Sequence, residues 1–459
     1  MTPSTRRILG IAFLIGLAIR LVVLSRTGEL GPKIVDEQQY TQIAQNVVAG
    51  NGFGWAPGQL TSIRPPLYPG LLAATWTIAG TSFQLVRMIQ ILLSLVTAAL
   101  VYLIGRAAWN ERAGALAAAI CWLYPSLVFY DFLILTETLF TFLLVAFVAA
   151  TAALVQRPRV LAAVACGVTL GLAALTRSVL WPLPFILCPG LLLIIDLAWV
   201  RRVALAAVVF VAYGAVVGPW AVRNTRLQHV VTVVDTMSGM NLRMGNYEYT
   251  PDDRMWDAVS LTGEKNWVHG ISDDLGKGEI TEGQKDKWAQ RKAVEYIKAH
   301  PGQTLRRSLI KFADFWGLER EFMAGVQQGL YAPPVWFAVL ASAAILAGYA
   351  LVAVIGAAGI WMAAPRDKRV HAILLVPVIV LIGAHAIAFG HSRYHLPLMP
   401  ILGLYAAALV AARMPSFAVS RRPALIGAAA SIVVLLSVWV RQIVLTDLDR
   451  IMSLLHRVS

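Results

Sequence analysis

The sequence is short of charge: Asp, Glu, Lys and Arg make up 14% of its 459 residues, against roughly 25% in an ordinary soluble domain. Water is therefore excluded as its main solvent. With 58% hydrophobic residues and a mean hydropathy of +0.67, the chain is built for lipid. Cysteine is scarce as well. Cys121, Cys166 and Cys188 all lie in apolar runs and are odd in number, so they offer neither a disulfide framework nor a metal-ligand spacing. No Asn-x-Ser/Thr sequon, internal repeat or low-complexity tract occurs. Acidic residues are the scarcer sign, 25 against 39 Lys and Arg, which leaves a formal charge of +14. In a soluble protein that surplus would indicate nucleic acid. Here no basic stripe with interleaved aromatics is present and the cations recur in short links between apolar runs, so no nucleic-acid partner is expected.

What is present is a series of apolar runs near the ~20 residues needed to cross a bilayer. They fall at 8–24, 85–105, 114–130, 138–155, 160–175, 180–198, 203–221, 334–361, 370–388, 395–412 and 423–440, about eleven in all, which predicts an all-α polytopic membrane protein. The first run has no small-residue cleavage site after it and reads as a retained helix rather than a signal peptide. With Arg6 and Arg7 in the cytoplasm, the pairs Arg106/Arg112, Arg157/Arg159 and Arg201/Arg202, the trio Arg366, Lys368, Arg369 and the trio Arg413, Arg421, Arg422 all fall on that same side, as the positive-inside rule requires. The segment 25–84, the polar block 222–332 and the links near Asp131, Arg177 and Arg393 then share the outer face. The domain organisation expected is an N-terminal membrane module over 1–221 with about seven spans, an outer soluble block over 222–332, a C-terminal module over 333–440 with about four spans, and an outer tail over 441–459.

Tyr40, Ile43, Ala44, Val47 and Val48 recur at helical spacing and predict a helix on the membrane surface, ended by Gly50, Gly52 and Gly54. In the outer block, Thr281 with Gln284 predicts a capping box before a helix through Lys298, and Pro301 opens another toward Trp316.

The residues that could do chemistry collect on the outer side. Asp36 and Glu37 begin the surface helix, where a carboxylate is either an N-cap or a general base at the water–lipid boundary. Arg64 stands before Pro65 and Pro66, where its planar fork could grip a phosphate-bearing lipid. Asp131 and Glu137 bracket the third and fourth runs; Glu137 at the head of an apolar run is either a cap or a group turned to a cavity. Arg177, Arg223 and Arg393 sit at outer ends of spans, where positive charge is disfavoured, so they either snorkel or hold an anion. His391 and His395 are spaced i, i+4 without a clear third metal ligand. Arg20, one turn from the outer end of the first run, is expected to snorkel.

In this order and on this face, the motifs resemble the membrane glycosyltransferases of the C superfamily, in the branch of protein O-mannosyltransferases and bacterial lipid A aminoarabinose transferases. The resemblance rests on Asp36, Glu37 and Tyr40, on Arg64-Pro65-Pro66, on Glu137, on Pro219-Trp220 with Arg223-Asn224, and on Arg393-Tyr394 with Pro397. It covers nearly the whole chain. It implies helices around a lipid-facing cavity and a donor sugar carried on polyprenyl phosphate. It further implies Asp36 as the base that activates an acceptor hydroxyl, Arg64 and Arg223 on the donor phosphate, Glu137 shaping the sugar site, and inversion at the anomeric carbon. Arg177 and Arg393 join the phosphate-binding candidates, and Tyr40, Tyr68, Asp131, Tyr394 and His395 are the candidate substrate contacts. The aminoarabinose enzymes place an acidic metal ligand just before their Lys-Pro-Pro; Ile63 holds that position here, so no metal site is assigned and a divalent metal stays open. The 222–332 block is too short and too poor in strand signals for the sugar-binding-like domain of the protein mannosyltransferases, which leaves a lipid or glycan as the acceptor.

The function expected is transfer of one sugar from a polyprenyl-phosphate carrier on the outer face of a bacterial inner membrane. A lipid-linked sugar transporter or flippase is the alternative. Transport would put ionisable groups near mid-span or break helices in paired halves, whereas these carboxylates sit at one boundary.

Overall fold

The computed structural model describes residues 1–27, 29–252, 255–276, 278–412 and 422–447. Arg413, Arg421 and most of the expected tail, 448–459, lie outside the described residues. Among the described residues eight helices are long and apolar enough to cross a membrane: Pro3–Thr27, Phe83–Ala108, Glu137–Gln156, Trp199–Gln228, Val335–Met362, Lys368–Ile387, Ser392–Ala411 and Arg422–Leu445. The protein is an all-α, multi-pass membrane protein.

The other three apolar runs come out short or broken, and proline accounts for two of them. The run 114–130 divides into helices Glu111–Leu123 and Pro125–Tyr130, with Tyr124 extended at φ −62, ψ 117, because the ring of Pro125 disfavours the helical region for the residue before it. The run 180–198 becomes a 3-10 turn, Ser178–Leu180, and a helix of 11 residues, Pro184–Ile194, interrupted by Pro182 and Pro184. The run 160–175 is one helix, Val160–Thr176, of 17 residues, at the lower limit of the length that spans lipid.

Helix Val160–Thr176 packs along Trp199–Gln228 through Gly167, where a Cβ would lie 2.3 Å from the Val209 carbonyl oxygen. Such contact between small residues is how helices associate where lipid is as apolar as the side chains. Inside the bundle Arg20 does not snorkel. It is 0% exposed, and its Nε donates to Asp131 Oδ2 at 2.8 Å while a terminal nitrogen donates to the Gly16 and Trp122 carbonyls. Asp131, also 0% exposed, takes the Ser94 hydroxyl at 2.5 Å on its other oxygen. A charge of either sign there would be costly alone, and each is retained because the other is present.

The first outer segment forms the surface helix Val35–Val48, a hairpin of strands Gly54–Ala56 and Gln59–Leu60, and an apolar helix, Leu67–Ala79, that hydropathy did not single out. Tyr40, Ile43 and Ala44 of the surface helix are buried, whereas Val47 and Val48 are exposed; Gly50 and Gly52 end it at φ 79 and 82, a region glycine enters without strain. In the outer block the capping box is formed: Thr281 Oγ1 accepts from Gln284 N at 3.2 Å and Gln284 Oε1 from Thr281 N at 3.0 Å, opening helix Glu282–Ala299. Pro301 opens Pro301–Phe315. A small core of Met244, Tyr247, Trp267, Ile271 and Trp288 fills the block. Lys311 joins it to the membrane part: fully buried, its Nζ donates to Asn246 Oδ1 at 3.1 Å and to the Ile387 carbonyl at 2.8 Å. Burial, with Arg307 nearby, pushes this ammonium down to about 7.

Candidate active site

Four separate parts of the chain bring charged side chains to one place at the outer ends of the helices. Asp36 is the second residue of the surface helix, but its carboxylate caps nothing. Oδ1 accepts from a terminal nitrogen of Arg64 at 2.6 Å and Oδ2 from Arg393 at 3.0 Å. Arg393 extends through Nε to Glu137 Oε1, and Arg177 reaches the same oxygen at 2.5 Å. The result is a continuous chain, Arg64–Asp36–Arg393–Glu137–Arg177, with one positive charge in excess. Its ends are open to the surroundings: the side chains of Arg64, Arg393 and Arg177 are 19%, 18% and 15% exposed and that of Asp36 30%. Glu137 is fully buried, and its Oε2 has no partner, a costly state for a carboxylate oxygen and one a hydroxyl donor would relieve.

The electrostatics at Asp36 are a contest between burial, which raises the carboxyl, and Arg393 and Arg64, which lower it. The arginines win and hold Asp36 at about 2. Around the chain, Gln39 Oε1 accepts from Arg64 Nε at 2.8 Å, and the Arg64 guanidinium lies 5.3 Å from the Tyr40 ring. Tyr394 stacks on His385 at 4.3 Å and stands 5.8 Å from the Arg177 guanidinium.

Several expected site residues sit one layer behind. Glu37 is buried with both oxygens occupied by backbone: Oε2 accepts from Lys33 N and Ile34 N, at 2.7 and 3.1 Å, and Oε1 from Ile134 N at 2.8 Å. It is thus Glu37 that closes the start of the surface helix and fixes it to the bundle, leaving Asp36 free to pair with arginine. Tyr68, fully buried, donates to Gln90 at 2.8 Å and meets the Tyr40 ring edge-on. Asp131 is consumed by Arg20. Arg223 does not enter the chain of charges. Its guanidinium donates to the Thr61 carbonyl at 2.6 Å, to the Ser62 hydroxyl at 3.1 Å and to the Phe53 carbonyl at 3.1 Å, and lies over Trp220. It straps down the loop that carries Arg64. His395 is fully buried, between Tyr349 and Trp316, with Nε2 3.0 Å from Glu319 Oε1, while His391 Nδ1 accepts from Arg393 N at 3.1 Å. The two imidazoles therefore turn to different partners.

Residues 63–222, which hold Arg64, Glu137, Arg177 and the Arg223 approach, match the family described as dolichyl-phosphate-mannose-protein mannosyltransferase. Over the whole chain the fold is that of the oligosaccharyltransferase of Archaeoglobus fulgidus in its apo form, at TM-score 0.52 and 16% identity, with 95% of this chain aligned to 56% of that one. The family match is confined to that segment, about a third of the chain, and the likeness over the rest is one of fold. ArnT from Cupriavidus metallidurans in the apo state aligns over 86% of this chain and 77% of its own length, at 18% identity and TM-score 0.38. The same protein bound to undecaprenyl phosphate aligns over 87% and 78%, at 15% identity and TM-score 0.38. No curated protein matches the sequence.

The donor set of this site does not fit a divalent cation. Both oxygens of Asp36 and one of Glu137 are committed to guanidinium groups, and an ion there would be bound against three like charges. Among the described residues no three His, Cys, Asp or Glu side chains gather at metal-ligand distance. One contributor escaped sequence reasoning. Gln39 lies one turn beyond Asp36 on the same helical face, a spacing that could have marked it.

Proposed function

We propose that this protein is a glycosyltransferase that moves a single sugar from a polyprenyl-phosphate carrier to an acceptor hydroxyl, with inversion and with Asp36 as the general base. The excess positive charge of the five-residue chain carries the reading. Three guanidinium groups, each part-exposed, offer a headgroup-level site for the carrier phosphate, whose negative charge grows as the glycosidic bond breaks; preorganised cations act on that growing charge. Arg64, Arg177 and Arg393 take the phosphate, and Arg223 acts on it by holding the Arg64 loop. The free Oε2 of Glu137 accepts a hydroxyl of the transferred sugar, and Tyr394 and Tyr40 wall the site.

In this reaction the acceptor oxygen bonds to the anomeric carbon, the carbon–oxygen bond to phosphate breaks with its electron pair leaving on the phosphate, and the acceptor proton passes to Asp36. A carboxylate held at about 2 draws a proton only from an oxygen already bonding to carbon, so proton transfer follows carbon–oxygen bond formation. One displacement needs no covalent sugar–enzyme intermediate. The site faces the periplasm from a bacterial inner membrane, a placement supported by the arginines of the loops at 106–112, 157–159, 201–202 and 366–369. The membrane modules 1–221 and 333–440 carry the site and the block 222–332 covers it. The acceptor is a lipid or glycan.

Mass spectrometry of lipid co-purified with the protein tests the reading. Polyprenyl phosphate or its sugar conjugate is expected with the parent protein and should be lost from an Arg64→Ala/Arg393→Ala double variant. Bulk phospholipid alone in both would overturn it.

A further inference from the structure

The chain of charges is one arc of a closed ring of contacts. At one end Arg177 is followed by Ser178, whose hydroxyl lies close enough to the Asp235 carboxylate to stabilise its charge. Asp235 Oδ1 also accepts from Met237 N at 3.2 Å, and the next residue, Thr236, donates its N–H to the Ser62 carbonyl at 3.0 Å. Ser62 lies two residues before Arg64, the other end of the chain. The Ser62 loop is itself held by Arg223, Asn224 and Glu282, so the second arc is as fixed as the first.

Its composition is opposite. Asp36 and Glu137 are each held by two arginines, whereas Asp235 makes no ion pair among the described residues; its partners are a hydroxyl and a backbone N–H. Beside it the Thr236 hydroxyl is 3% exposed and has no partner, an unsatisfied state that native structures rarely tolerate without a ligand or water. A carboxylate within the influence of Arg64, on a ring that takes a phosphate, cannot itself face that phosphate. What it can accept is an uncharged O–H donor.

We infer that Asp235, with Ser178 and Thr236, reads a hydroxyl of the transferred sugar and so determines donor specificity, on the arc of the ring remote from Asp36. This rests on the carrier-phosphate reading above. Burial pushes the Asp235 carboxyl up to about 6, against the pull of Ser178 and the Met237 N–H; it is ionised at neutral pH and accepts most strongly there. Glu137 Oε2 supplies a second acceptor from the first arc, so the ring would fix the sugar at two points while its cations fix the phosphate.

Equilibrium binding separates the two layers of this argument, using bare undecaprenyl phosphate and a panel of undecaprenyl-phosphate pentoses and hexoses, each with congeners lacking one ring hydroxyl. The parent protein should bind its preferred conjugate about tenfold to a hundredfold more tightly than one particular deoxy congener, the range for a hydrogen bond to a charged group. Asp235→Ala should abolish that discrimination and leave the affinity for bare undecaprenyl phosphate within about twofold. Asp235→Asn, which keeps an acceptor for Met237 N, should retain part of it. If discrimination survives in Asp235→Ala, or bare-lipid affinity falls as much as conjugate affinity, Asp235 reads no sugar. If the parent protein fails to bind bare undecaprenyl phosphate at all, the donor reading itself falls, and this inference with it.

Discussion

Two sets of buried charge in this protein use the same residue types to different ends. Arg20 and Asp131 are one to one and 0% exposed; further hydrogen bonds hold both, and of their charged atoms Arg20 Nη2 alone is without a partner. The Arg64–Asp36–Arg393–Glu137–Arg177 chain is three to two, part-exposed at four of its five members, and leaves a carboxylate oxygen unpartnered. A pair that cancels holds helices together. A set that does not cancel, and that solvent reaches, is prepared for something with the missing charge. From sequence the acidic members of both sets look alike, since Asp131 and Glu137 stand six residues apart at the same boundary.

The comparison is broken most sharply at Asp36. Asp36→Asn should reduce turnover by about 10²- to 10⁴-fold, the usual worth of general-base assistance, with the fold and donor binding retained. A folded variant transferring sugar at more than about a tenth of the parent rate would remove Asp36 from the mechanism. The closed pair should fail in the other way: Asp131→Ala strands Arg20 in the bundle and should cost about 3–5 kcal/mol of stability, read by thermal or denaturant unfolding in detergent. Arg20→Met/Asp131→Leu should recover much of that loss, because an apolar pair asks for no desolvation. If Asp131→Ala instead unfolds like the parent while losing turnover, the two sets are not of different kinds.

Arg64→Ala should weaken donor binding by about 1.5–3 kcal/mol, the range for a hydrogen bond to a charged group, with little change in unfolding; an unaltered donor affinity would count against its place on the phosphate. A further test concerns Lys311, a fully buried amine with no ion-pair partner among the described residues. Its folded value near 7 lies below the ~10.4 of an unfolded lysine. Between those values the unfolded chain binds more protons, so stability rises with pH from about 7 to about 10. The thermal midpoint of the parent should climb relative to that of Lys311→Met over this window; parallel curves would show that Lys311 is charged throughout.

Much of this site was legible because membrane rules make some residues conspicuous. Arg64, Arg177 and Arg393 stand out as cations on the face that disfavours them, and Asp36 and Glu137 as carboxylates at the heads of helices. Their pairing was not legible: Arg393 is 357 residues from Asp36 and 256 from Glu137, and no local pattern records such a contact. Nor could sequence tell which of two adjacent carboxylates would be free, since Glu37 is occupied by the backbone of Ile134, nearly a hundred residues away. In the fold, hydropathy found the apolar runs but weighed their prolines too lightly. Pro125, Pro182 and Pro184 divide what composition alone reads as continuous spans.

Glu282 is the first residue of its helix in the outer block, and it reaches back to the first outer segment. Its two oxygens accept from the Thr61 hydroxyl at 2.6 Å and from Ser62 N at 2.7 Å. The mechanical consequence is that the block cannot hinge away from the bundle without letting go of the strand of chain that positions Arg64. The block and the Arg64 loop are tied to each other. For anyone exchanging the block for a larger or smaller one, this carboxylate is a junction to keep, together with Lys311 and the covalent ends at 222 and 332.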